Sequence, residues 1–165
     1  MSERQSKCAC GKVVCKGQGS PILTGVCYCD DCQEDARRIR TDASGPAVCD
    51  EDGGTAYLTY RTDRFCCVSG EDLLKPITLK ENALTTRFVT SCCNSAMYLR
   101  FGPGHWVSAY RNRFPEPLPQ IEMRNRTAHR RSDLPMPTDA PQFRGYPLRL
   151  FSRLVKARID MARGK

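Results

Sequence analysis

The sequence predicts a mainly β fold of short antiparallel strands, followed by a C-terminal amphipathic helix. Three observations predict it. Short apolar and β-branched runs recur through the N-terminal two-thirds of the chain. Gly, Pro and Asp signals such as GQGSP, SGP, EDGGT and GPG separate them. A stripe of apolar residues at spacings of three and four closes the chain.

The expected strands, in order, are residues 13–14, 22–28, 56–60, 65–68, 77–79, 88–89 and 97–101. Residues 30–40 read as a helix, with Asp30 and Asp31 at its start and Arg37, Arg38 and Arg40 near its end, as the helix dipole favours. SGEDLLK, at 69–75, reads as one helical turn with Ser69 as N-cap and Asp72 three residues on. Six prolines between Pro115 and Pro141 make residues 114–145 an extended, irregular arm. In the final helix, over 147–163, Leu148, Phe151, Val155, Ile159 and Ala162 form the stripe, broadened by Leu150, Leu154 and Met161. This divides the chain into a β domain over 1–114 and a Pro-rich basic arm with a C-terminal helix over 115–165, packed on the same domain.

The chain has 165 residues, 40% apolar and 27% charged, which suits one folded domain and argues against disorder. No run approaches the roughly 18 apolar residues of a membrane span, and the opening MSERQSKCACG lacks an apolar signal core. A cytoplasmic location is the expectation. Residues 116–165 carry 11 Lys and Arg against 5 Asp and Glu, so +6 of the net +8 lies in the tail. Any preference for anionic partners belongs there.

Eleven cysteines are many for such a chain, and none follows Cys93. In a reducing compartment, clustered cysteines point to metal or redox chemistry rather than disulfides. The informative fragments are Cys8-Ala9-Cys10-Gly11, Cys27-Tyr28-Cys29-Asp30-Asp31-Cys32 and Cys92-Cys93-Asn94-Ser95. Zinc takes ionised thiolates in a tetrahedron at about 2.3 Å, and close Cys pairs on tight turns supply two at a time. Three thiolates from one segment leave a fourth position open, where chemistry can occur. A redox Cys29–Cys32 pair is the rival, without the βαβ context usual for it.

CACG at 8–11, CYCDDC at 27–32, SGEDLL at 69–74 and CCNSAM at 92–97 together resemble the glutathione-dependent formaldehyde-activating enzyme (GFA) family, which includes the domain of centromere protein V. The resemblance covers roughly residues 8–110. It implies a β-tent fold with up to two zinc ions per chain. Cys8 and Cys10, with cysteines from 92–93, would form a structural site, and Cys27, Cys29 and Cys32 a catalytic one acting on glutathione adducts of formaldehyde. The implied activity is that of a carbon–sulfur lyase forming or breaking S-(hydroxymethyl)glutathione. Two departures stand out: Tyr28 replaces the family's usual His, and Thr90-Ser91-Cys92-Cys93-Asn94 replaces Cys-x-x-Cys-Gly. Cys92 stands in for the first Cys of that pair, or else Cys66 or Cys67 completes the site.

Cys15 and Cys49 lack motif partners and are expected to pack as small apolar residues. His105, in GPGHW, is expected to be structural, although a place beside zinc stays open; His129 is expected in solvent. Arg37, Arg38 and Arg40 follow the triple motif and could orient glutathione carboxylates, but a solvated helix end is the plainer expectation. The alternative function is a non-catalytic zinc module whose basic tail binds nucleic acid or an acidic partner. RNRTAHRR lacks interleaved aromatics, which disfavours nucleic acid. The terminal stripe is expected to dock on the β body or on a second copy in a homodimer.

Overall fold

A computed structural model describes residues 3–41 and 45–165, the side chains of residues 40 and 41 excepted. Arg40 as a ligand-orienting residue therefore lies outside the described residues. Among these are ten strands: β1 (Glu3–Lys7), β2 (Val14–Gln18), β3 (Leu23–Cys27), β4 (Thr55–Arg61), β5 (Phe65–Ser69), β6 (Leu74–Ile77), β7 (Thr85–Thr90), β8 (Ala96–Phe101), β9 (Trp106–Tyr110) and β10 (Met123–Asn125). Helix α1 (Asp30–Thr41) follows β3, and α2 (Leu148–Ala162) comes last. The fold is mainly β with a C-terminal helix, as the turn-punctuated apolar runs predict.

The strands form two sheets, β1-β2-β5 and β10-β3-β4-β9-β8-β7-β6. Every named pairing is antiparallel except β10 on β3, which is parallel. This corrects the all-antiparallel expectation. β10 comes out of the Pro-rich arm, and such a crossing connection can deliver a strand in either sense where a hairpin cannot. The arm is thus not wholly irregular: its Arg124 also exchanges backbone hydrogen bonds with Pro141 and Phe143 at 2.9 and 2.8 Å.

Period-two alternation gives the large sheet two different faces. On one, Leu58, Tyr60 and Ala109 pack with Phe114, Phe65 and Tyr98. On the other, α1 sets Cys32, Ala36 and Ile39 against Val48, Tyr57, Val89, Ala96 and Tyr110. Farther along that second face, α2 lies above Leu23, Leu99, Phe101 and Trp106 and leaves a cavity beneath it. His105 fastens α2 there, its Nε2 2.7 Å from the Leu154 carbonyl oxygen.

Two local expectations change. The turn after Ser69 is a short 3-10 helix at Glu71–Leu73 with left-handed Gly70, not Ser69, as its cap. The Ser69 hydroxyl donates instead to the Lys12 carbonyl. The terminal stripe also faces the other way. Leu154 and Ala157 are buried, whereas Leu148, Phe151, Val155 and Ile159 are exposed. Both rows are apolar and helically spaced, so periodicity alone cannot say which one meets the body.

Candidate metal centres

Cys8 and Cys10 sit in the turn joining β1 to β2, closed by a Gly11 N–H to Cys8 carbonyl bond of 3.0 Å and by Gly11 at φ +78°. Cys92 and Cys93 sit in the β7–β8 turn, where left-handed Asn94 (φ 50°) tightens the chain. The four sulfurs come together. Their separations include 3.3 Å for Cys10–Cys92, 3.6 Å for Cys8–Cys10, 3.8 Å for Cys92–Cys93 and 4.0 Å for Cys8–Cys92. A tetrahedron with metal–sulfur bonds of about 2.3 Å has edges of about 3.8 Å, so the set fits a closed four-thiolate site. Neighbours hold the sulfurs in place: the Val13 N–H donates to Cys8 at 3.2 Å. Against burial, hydrogen bonds with Ser95 and Thr90 hold the Cys93 thiol down at about 5, while burial and the contact with Cys10 push Cys92 up to about 12.

Neither Cys66 nor Cys67 belongs to this set. Cys67 faces Cys15 across the β2–β5 pairing and contacts the Ser69 carbonyl at 3.2 Å. Cys15 is fully buried, and Cys49 packs at the edge of the cluster under α1.

Cys27, Cys29 and Cys32 form the second set, their sulfurs all within 4.8 Å of one another. Cys27 ends β3, Cys29 precedes α1, and Cys32 lies in the first turn of α1. Cys29 leads into α1: the Gln33 N–H donates to its carbonyl at 3.1 Å, and the Cys32 backbone helps to hold its thiol low. Hydrogen bonds from the Cys27 and Cys32 thiols hold Cys29 far below the usual thiol range. Contact with Cys29 in turn pushes the Cys27 thiol up to about 12 and the Cys32 thiol well up. A metal cation would bind all three as thiolates and displace whatever protons they hold. Among the described residues no fourth His, Cys, Asp or Glu joins them.

The second set opens onto the cavity of about 390 Å³ between the sheet and α2. Tyr57 lies at its inner end with its hydroxyl 3.5 Å from Cys32, and Tyr146 stands at Cys27 from the chain just before α2. Leu150 and Leu154 form the roof with half-exposed Phe151 at its edge, and Arg87 and Asn125 lie in the lining. Sequence reasoning passed over Tyr57, Arg87, Asn125 and Tyr146, since each is distant in sequence from the cysteines and carries no motif. The one available signal was strand alternation through β4 and β7.

The chain matches no family model and no curated protein sequence. Among solved structures it is similar to a Rhodobacter sphaeroides protein, a structural-genomics target, with a TM-score of 0.48 and 15% identity. The similarity covers 70% of this chain and 90% of that one.

The remaining expected site residues fall away from the cavity. Tyr28 is fully buried, and its hydroxyl donates to Asp52 at 2.6 Å and accepts from Arg124 at 2.5 Å. Gly54 makes room for it: a Cβ there would lie 2.8 Å from the ring. Arg37 and Arg38 both grip Glu34 at the exposed face of α1. His129 is not left to solvent, because its Nδ1 pairs with Asp30 at 2.8 Å, beside Arg131 at 2.6 Å. Arg124 also binds Asp139, and Arg130 donates to the Asp52 carbonyl. Much of the basic run thus clamps the arm onto the body. Among the described residues, no helix is long and apolar enough to cross a membrane.

Proposed function

We propose that the chain is a divergent member of the GFA family, a zinc-dependent carbon–sulfur lyase-like enzyme acting on a thiol adduct of formaldehyde or a similar aldehyde. One observation carries the reading: three sulfurs, not four, converge at the end of a cavity large enough for a small molecule. The donor chemistry of both thiol sets suits zinc, the first as a closed site and the second as an open one.

In the forward reaction, a thiol R–SH adds to H₂C=O. The sulfur–carbon bond forms, the carbonyl π pair moves to oxygen, and the thiol proton ends there to give R–S–CH₂–OH. The reverse breaks the carbon–sulfur bond and returns the proton to sulfur. Zinc held by Cys27, Cys29 and Cys32 would supply Lewis acidity to this chemistry. Tyr57 and Tyr146 place hydroxyl donors beside the thiols, where developing charge on oxygen needs them. The walls of the cavity limit water around the adduct. Glutathione is the thiol that the family resemblance suggests.

The test is exchange NMR of formaldehyde and thiol with zinc-loaded protein. Exchange faster than with Cys29→Ser is the expected result; equal rates would sink the enzymatic reading.

A further inference from the structure

We propose that this cavity selects thiols bearing an apolar, carboxylate-free group over glutathione, which carries two carboxylates and an ammonium. The inference rests on the lyase reading above and deepens it by naming the class of thiol.

The floor of the cavity is mainly Leu23, Leu99, Phe101 and Trp106, with the neutral hydroxyls of Thr59, Thr85 and Ser108 among them, and its roof is Leu150 and Leu154. Two charged residues line it, Arg87 and Asp31. Both are occupied. The Arg87 side chain is 3% exposed and pairs with fully buried Asp35 at 3.1 Å, while Asp31 pairs with Lys80 at 3.1 Å. Arg126 does not line the cavity and stacks on the Tyr146 ring, 5.4 Å from its centroid. A carboxylate drawn inside would shed its water and meet apolar walls and a cation already neutralised, which is strongly unfavourable. An alkyl or arylalkyl group would instead bury its surface against aromatic walls. A further polar group in the sheet is neutral: Asn125 is the register partner of Cys27 and lines the same cavity. Its carboxamide suits the hydroxyl of a thiol–aldehyde adduct.

Trp106 is the chain's single tryptophan and lines the cavity, so its fluorescence reports occupancy. Zinc-loaded full-length protein is titrated with phenylmethanethiol and, separately, with glutathione. The expected midpoint for phenylmethanethiol is lower by about tenfold or more, the scale set by an unpaired buried charge. Equal or tighter binding of glutathione, or no response to either thiol, would overturn the proposal. Leu150→Arg adds a cation to the roof and is expected to narrow the ratio; an unchanged ratio in a folded variant would remove the selectivity from this cavity. Exchange NMR on the same samples separates the two claims. Exchange with glutathione alone overturns the thiol class and leaves the lyase reading standing. Tight binding of phenylmethanethiol without any exchange overturns the lyase reading and leaves the ligand class standing.

Discussion

The Tyr146 hydroxyl stands 4.0 Å from the Cys27 sulfur, across 119 positions of sequence. The same hydroxyl helps to hold the Cys29 thiol below its usual range, so a residue of the C-terminal arm bears on two thiols supplied by the β3–α1 connection. Outer partners of this kind orient metal ligands, and their loss weakens binding by about ten- to a hundredfold. Tyr146→Phe is expected to reduce zinc affinity on that scale at the second set alone, read by competition with a chelating dye. Unchanged affinity would show that the hydroxyl does not support the thiols.

Metal content divides the two sets. The wild-type chain is expected to carry two zinc ions, with Cys10→Ser and Cys29→Ser each carrying one. Cys10 and Cys92 join turns 82 positions apart, so losing the first ion unties the β1–β2 turn from the β7–β8 turn. Cys10→Ser should therefore lower the thermal midpoint more than Cys29→Ser does. The reverse order in calorimetry would assign the structural role to the wrong set.

Tyr28→His is expected to add no activity, although His is the usual residue of the resembling family. The side chain at this position points into the Asp52–Arg124 network and away from the thiols. The substitution leaves Asp52 and Arg124 short of a buried partner, at about 1–3 kcal/mol of stability. Urea unfolding measures that loss, and a gain in exchange rate would refute the placement.

Acid should loosen the arm. Hydrogen bonding and ion pairing with Arg124 hold the Asp139 carboxyl below its usual range. A carboxyl lowered by folding contributes stability that is present above its unfolded pKa of about 3.9 and lost as pH falls through the folded value. The difference in thermal midpoint between wild type and Asp139→Asn is thus expected to be steady near neutrality and to shrink as pH falls below about 4. A difference that grows on acidification would contradict the sign.

The Cys8–Cys10 pair and the Cys27–Cys29–Cys32 triple were legible because ligand spacing is local; that Cys92 and Cys93 meet the first pair, 82 positions away, was implied only by the family resemblance. Strands with apolar cores, such as β4 and β8, were legible for the same reason. β1 was not, because ERQSK is a polar edge strand with a single buried residue, Ser6. β10 escaped notice among prolines, and its parallel register depends on a crossing that no local pattern encodes. The cavity was invisible for a further reason. Its lining is assembled from most of β3, from alternate residues of β4, β7, β8 and β9 and from α2, and each segment alone reads as ordinary core. Arg87 exemplifies this, since a lone arginine in a strand announces neither Asp35 nor the cavity.

The roof over the second thiol set comes from residues 146–154, whereas the last cysteine of either set is Cys93. A chain emerging from the ribosome therefore presents all seven sulfurs that could hold metal well before the lid of the cavity has been translated. Metal can enter an uncovered groove during synthesis, and the chamber shuts only when the final helix arrives. A nascent chain stalled before residue 146 would leave Trp106, Leu99 and Phe101 without the cover of the final helix.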